Sequence, residues 1–339
     1  MALSQKEEHI LKTIVVASEN NPNKPEYPPD HPRFPATPTY KIKVSGFTNV
    51  WLKDESKNLT GTHKDRMAWE MVVTYRDLLL SKKAGRIKKL PALSILSSGS
   101  AALAIQTQLR KYSLPNLRVL MDSQTKVDKV SCLKAIGCKV YLKDLGRKIL
   151  NWEDILRLTN NRGGFDITSN DAYDPTVRFY DWLSYEIINS DAEYIFVPYG
   201  TGQLYENIMN IIKNELSYNR CDPRFRGNRQ ILKRASVLGA TTTNPRSKAD
   251  KLYAPFLPFA NYSKQWIRFY QYTGLTGKMS RVYNLREKYL EQAMKVAGTQ
   301  GINCEPSGIA GLGLLLQIKK NIPANKKIII VNTGKTKNP

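Results

Sequence analysis

From residue 49 to residue 142 the chain alternates between two hydrophobic periods, and few folds accept that pattern. Residues 49–53 form an apolar run of strand length, and residues 64–80 carry apolar side chains at helical spacing. Strands are then predicted at Leu93–Leu96, 117–121 and 138–142, with helices at 101–109 and 127–136 between them. Such alternation builds a parallel sheet, because returning to the same end of a sheet requires a crossover long enough to hold a helix. The pattern resumes with strands at 194–197, 235–238 and 327–331 and helices at 176–188, 204–213, 282–296 and 307–318. The predicted class is α/β, in two lobes, each a mostly parallel sheet flanked by helices.

A length of 339 residues suits one large or two medium domains. Residues 1–36 read as an N-terminal arm, since the tract Asn21-Pro22-Asn23-Lys24-Pro25-Glu26-Tyr27-Pro28-Pro29 cannot hold a regular helix or a central strand. Residues 37–91 and 179–339 read as a large domain, and 92–178 as a small mobile one. The stretch 252–277, rich in Tyr, Phe, Trp and Pro, shows neither period and reads as an irregular packed loop or a subunit contact.

Composition removes several function classes. No run approaches the roughly 20 apolar residues that span a bilayer. The start, Met1-Ala2-Leu3-Ser4-Gln5-Lys6-Glu7-Glu8, lacks an apolar export core, so the expected location is the cytoplasm, away from membranes. Cys132, Cys138, Cys221 and Cys304 show no C-x-x-C pair, and the histidines are His9, His31 and His63, so no metal site is expected. The net charge of +23, from 52 basic and 29 acidic side chains, attracts anions. Its clusters lack interleaved stacking aromatics, which points to nonspecific nucleic-acid binding at low salt or simply to solubility.

Four strand-to-helix junctions carry groups that can converge where open α/β sheets place ligands, at the carboxyl ends of the strands. The first contains Lys64 at a helix start. The macrodipole disfavours an ammonium there, so this lysine is either a surface cation or a covalently used amine. The second is Ser97-Ser98-Gly99-Ser100-Ala101, whose hydroxyls and backbone N–H groups suit a carboxylate or serve as an N-cap. The third, Gly200-Thr201-Gly202-Gln203-Leu204 after an apolar strand, suits a phosphate cradle or a tight turn. The fourth is the strand that ends in Asn332-Thr333-Gly334, where the Thr333 hydroxyl can meet a ring nitrogen.

In this order the four junctions resemble those of pyridoxal-phosphate enzymes of the tryptophan synthase β-subunit fold, fold type II, over Thr37 to Gly334. Leu59-Thr60-Gly61-Thr62-His63-Lys64-Asp65-Arg66 looks like the Schiff-base segment of threonine and cysteine synthases, and the His63-Lys64 pair is closer to the β-subunit itself. The resemblance implies that Lys64 holds the cofactor and carries the α-proton of the substrate. It further implies that Ser97 to Ala101 grip the substrate carboxylate, with Ser100 facing the cofactor. Gly200, Thr201, Gly202, Gln203 and Leu204 would bind its phosphate, with His63 beside that phosphate or acting as a helix cap. Thr333 would meet the pyridine nitrogen. Glu305-Pro306-Ser307-Gly308 resembles a run of the dehydratase and threonine synthase branches.

Three departures accompany the matches. Ser100 stands where the family usually has Asn, Gln203 stands where glycine is common, and the ending after Asn332 is one residue tighter. The implied activity is elimination or replacement at the β- or γ-carbon of a small amino acid through an aminoacrylate-type intermediate, performed by a lyase or transferase that is a homodimer. The alternatives are a serine/threonine dehydratase-like deaminase, or a catalytically altered binding or regulatory protein that uses its basic surface.

Overall fold

The computed structural model describes residues 3–19, 34–145, 150–168, 178–217, 222–253 and 279–337. In chain order the strands are β1 Thr39–Ile42, β2 Val50–Asp54, β3 Leu93–Leu96, β4 Arg118–Asp122, β5 Lys139–Lys143, β6 Phe165–Asp166, β7 Tyr194–Pro198, β8 Ser236–Thr241, β9 Arg281–Asn284 and β10 Ile328–Asn332. The helices include α1 Gln5–Glu19, α2 Lys64–Lys83, α3 Ser100–Lys111, α4 Val127–Ala135, α5 Trp152–Leu158, α6 Asp181–Ile188 and α7 Gln203–Ser217. The helices Arg229–Arg234, Glu287–Thr299 and Ala310–Ile318 follow. Among the described residues no helix is long and apolar enough to cross a membrane.

The chain divides into two units, one holding α1 with residues 64–179 and the other residues 36–63 and 180–337. In the first, four parallel strands lie in the order β5-β4-β3-β6. In the second, six strands lie in the order β1-β2-β10-β7-β8-β9, parallel except for β1 at one edge. The centre of this larger sheet is β10, whose residues Ile-Ile-Ile-Val-Asn are all buried. A strand covered on both faces has no polar side to show, so it reads as a continuous apolar run rather than an alternating one. Over it packs the helix Ala310–Ile318, whose apolar surface is almost continuous, in a core that includes Leu52, Phe196, Leu238, Leu314 and Ile330.

Several expectations change. The arm contains α1, whose Ile10, Leu11 and Ile14 are buried; it packs on α2 and is tied to it by the Glu7–Lys82 ion pair at 2.5 Å. Its helical turns end before the proline tract, which is why that tract did not exclude them. The helix expected at 282–296 is split, because residues 281–284 form β9 on β8 and the helix begins at Glu287. The helix expected at 176–188 is α6, preceded by a 3-10 turn at Arg178–Tyr180. The boundary between units falls at His63–Lys64, so residues 64–91 group with 92–179 rather than with the large domain. Of the stretch 252–277, residues 254–277 lie outside the described residues; Leu252 is buried at the end of a 3-10 turn.

Candidate functional site

In the first unit, Lys64 is the first residue of α2, directly before the buried pair Asp65 and Arg66. The lysine is half-buried, and loss of water around its ammonium pushes its pKa from the ordinary 10.5 down to about 8. Ser97, Ser98 and Gly99 follow β3 and lead into α3. The Ser97 hydroxyl accepts the Gly99 N–H at 3.1 Å, and the Ser97 N–H donates to Leu120 O at 3.1 Å. The N-cap position of α3 belongs to Gly99, at φ 131°, with Ser100 as the first helical residue and Ala101 after it. Glycine has no side chain to cap with, so plain N-capping does not account for the serine run. A Cβ built on Gly99 would meet nothing within 4 Å, so the backbone here borders open space.

In the second unit, β7 ends at Pro198 and the chain turns through Gly200, Thr201 and Gly202 into α7, which Gln203 and Leu204 open. A Cβ on Gly200 would sit 2.6 Å from Lys251 O, and Gly202 has φ +88°. Both demand glycine, for close approach at the first and for handedness at the second. The N–H groups and dipole of the fifteen-residue α7 then face an anion favourably. Leu204 itself is buried in the core, so what it offers the turn is its backbone. Tyr199, just before the turn, is buried, and its hydroxyl meets no partner among the described residues.

Thr333 follows β10 and is held by its backbone. Its N–H donates to Gly308 O at 3.0 Å, and its carbonyl accepts the His63 N–H at 3.1 Å. The His63 ring lies with Nδ1 3.4 Å from the same carbonyl and its centroid 5.3 Å from that of Tyr180. Two glycines make this junction possible. Gly61 at φ +81° and Gly334 at φ +96° press together so closely that a Cβ on either would strike backbone oxygen of the facing segment. Around them Thr62 bridges Gly334, and Lys335 N–H donates to Gly61 O at 2.9 Å.

Glu305-Pro306-Ser307-Gly308 links this junction to the glycine turn. Lys251, whose carbonyl backs Gly200, donates from Nζ to Glu305 Oε1 at 2.7 Å and to Thr336 Oγ1 at 3.0 Å. The Lys251 N–H also donates to Ser307 Oγ at 3.2 Å. Lys251 escaped sequence reasoning because its partner is 54 residues away and no local pattern marks the pair. Buried polar residues at the end of β2 escaped as well. Asp54 accepts from Asn332 Nδ2 at 2.9 Å, and the fully buried Glu55 accepts from Thr37 Oγ1 at 2.5 Å and Asn58 Nδ2 at 2.8 Å. Glu55 and Asn58 thereby brace the loop that leads to His63, since Asn58 also donates to Thr62 O at 3.0 Å. A polar Lys-Asp-Glu run after a strand signals a surface turn in sequence; only sheet neighbours turn it inward.

Comparison with known proteins identifies the family of the chain. The family model described as pyridoxal-phosphate dependent enzyme matches residues 34–334. This chain belongs to that family. It is 30% identical over 132 residues to cysteine synthase B of Escherichia coli (strain K12), a match spanning 38% of this chain and 41% of that protein. It is 22% identical over 312 residues to threonine synthase of Synechocystis sp. (strain ATCC 27184 / PCC 6803 / Kazusa), across 89% of this chain and 75% of that one. In fold it is similar to O-ureido-L-serine synthase, with a TM-score of 0.62 and 16% identity over 88% of this chain and 89% of that one. The α/β architecture is thus fold type II, and the cofactor is pyridoxal phosphate. The residues present fit that group: a lysine amine of lowered pKa, a turn that only glycines can make at a helix start, and a hydroxyl at Thr333.

Proposed function

We propose that this chain catalyses elimination or replacement at the β- or γ-carbon of a small amino acid, as a threonine synthase or cysteine synthase does. Pyridoxal phosphate, when bound, supplies the electron sink that makes loss of the α-proton and departure of a β-substituent accessible. Lys64 is assigned as the covalent anchor and the proton carrier at the α-carbon. An amine with a pKa of about 8 is partly neutral near physiological pH, as a nucleophile and base must be. Ser97, Ser98, Gly99, Ser100 and Ala101 are assigned to the substrate carboxylate, which their open backbone and short hydroxyls suit. Gly200, Thr201, Gly202, Gln203 and Leu204, with His63, are assigned to the phosphate.

The observation that carries the reaction class is Thr333. Its backbone is committed to Gly308 and His63, which fixes where its hydroxyl starts. A neutral hydroxyl beside the pyridine nitrogen leaves that nitrogen largely unprotonated and tempers carbanion stabilisation, a balance that favours expulsion of a β-group.

Borohydride reduction of the purified holoenzyme followed by peptide mapping is expected to find the pyridoxyl group on Lys64. Label on another lysine, or a colourless protein that takes up no added pyridoxal phosphate, overturns the assignment. Screening the coloured protein with serine, threonine and their O-activated forms then separates the branches. Ammonia released without a second substrate marks a deaminase, whereas consumption only with an added nucleophile marks replacement.

A further inference from the structure

We propose that the amino-terminal edge of the four-stranded sheet binds the phosphate backbone of a single-stranded nucleic acid. In a parallel sheet every loop that leads into a strand lies at the same edge, and here the register Leu93↔Phe165 and Ser94↔Arg118 sets the starts of β6, β3 and β4 side by side. The segments arriving there carry Arg86, Lys88 and Lys89 in the loop before β3, Arg110 and Lys111 in the last turn of α3 before β4, and Arg162 in the loop before β6. All six are exposed, and none is engaged by a carboxylate among the described residues. The sequence explains the field they make: from residue 78 to residue 121 it has no Asp or Glu, nor any from 155 to 165.

The platform under these cations is braced. Arg118 Nη1 donates to Thr159 O at 2.9 Å and Asn160 O at 2.6 Å, fastening β4 to the loop before β6. Asn161 Nδ2 donates to Ala92 O at 2.9 Å and Ser94 Oγ at 2.8 Å, fastening that loop to β3. Strands lie about 4.8 Å apart, so three adjacent segments spread charge over roughly 10 Å, a reach of several phosphates. Beside Arg162 stands Phe165, 44% exposed at the first residue of β6, where its ring can stack on an unpaired base. An isolated aromatic in a field of cations suits a single strand; docking on a membrane would call for a contiguous apolar patch. The edge is opposite the end of β3 that leads to Ser97, so occupancy here leaves the serine loop open.

Fluorescence anisotropy with labelled single-stranded RNA and DNA and the matching duplex tests this on the 339-residue chain loaded with its cofactor. The quadruple variant Lys88→Glu, Lys89→Glu, Arg110→Glu, Lys111→Glu is expected to lose affinity by about tenfold or more and to flatten the log–log salt slope by roughly 0.7 per phosphate contact removed. Phe165→Ala is expected to weaken the single strand but not the duplex. The control variant Lys41→Glu, Lys43→Glu, Lys319→Glu, Lys320→Glu changes the net charge equally and is expected to bind as before. An equal loss in that control, or an unchanged salt slope in the first variant, overturns the proposal. So does tighter binding to phosphatidylserine vesicles or polyglutamate than to either single strand, whereas a preference for RNA or for DNA supports it and identifies the source.

Discussion

Lys64 meets two opposing demands in one side chain, a helix start that repels a cation and the covalent role proposed for it, which needs an amine. Burial reconciles them by pushing the pKa from 10.5 down to about 8. The same shift links stability to pH. Below about pH 8 the amine is protonated in folded and unfolded chains alike, and the folded state bears the full cost of the desolvated charge. That cost shrinks as pH rises from 8 towards 10.5 and is absent above it. Lys64→Met is therefore expected to stabilise the cofactor-free protein at neutral pH and to lose that advantage in strong alkali. Urea denaturation of both proteins at the two pH values measures it, and an advantage that does not change with pH would show that desolvation of this amine is not its origin.

At the scale of elements, the junction of the 60–63 segment with the end of β10 holds His63 and Thr333 together, and it depends on two left-handed glycines in mutual contact. Gly334→Ala forces a side chain into the Gly61 carbonyl at a φ of +96°, so a loss of about 2–4 kcal/mol is expected from strain and steric conflict together. Denaturant titration reads the loss. A variant within about 0.5 kcal/mol of wild type would mean that the segments separate without cost. Elements also explain which expectations succeeded. Helix α2 begins at the residue that sequence indicated, and β3 has the predicted bounds, because an apolar period and a neighbouring turn mark each locally. Strand β1 went unrecognised, since only Ile42 in it is buried and an edge strand needs little apolar periodicity. Strand β6 is two residues long, too short to show any period.

Across the whole molecule, the residues assigned to catalysis and binding come from distant parts of the sequence: Lys64 and the serine run belong to one unit, the glycine turn, His63 and Thr333 to the other. A ligand that binds only the folded chain stabilises it by mass action, about 2.7 kcal/mol at a hundredfold excess over Kd. Pyridoxal phosphate is accordingly expected to raise the thermal midpoint of the cofactor-free protein in a concentration-dependent way, and to raise that of Lys64→Met less. A midpoint indifferent to the cofactor in wild type would contradict this linkage. Local chemistry along the chain was enough to establish the α/β alternation, the lysine at a helix start, the glycine turn and the terminal Thr-Gly, because periodicity, turn residues and helix-start preferences act over a few neighbours. Tertiary packing was needed to bury Asp54 and Glu55, to pair Lys251 with Glu305 and to press Gly61 on Gly334. Those contacts join residues tens to hundreds of positions apart, and their energy exists only once the sheet has brought the segments together.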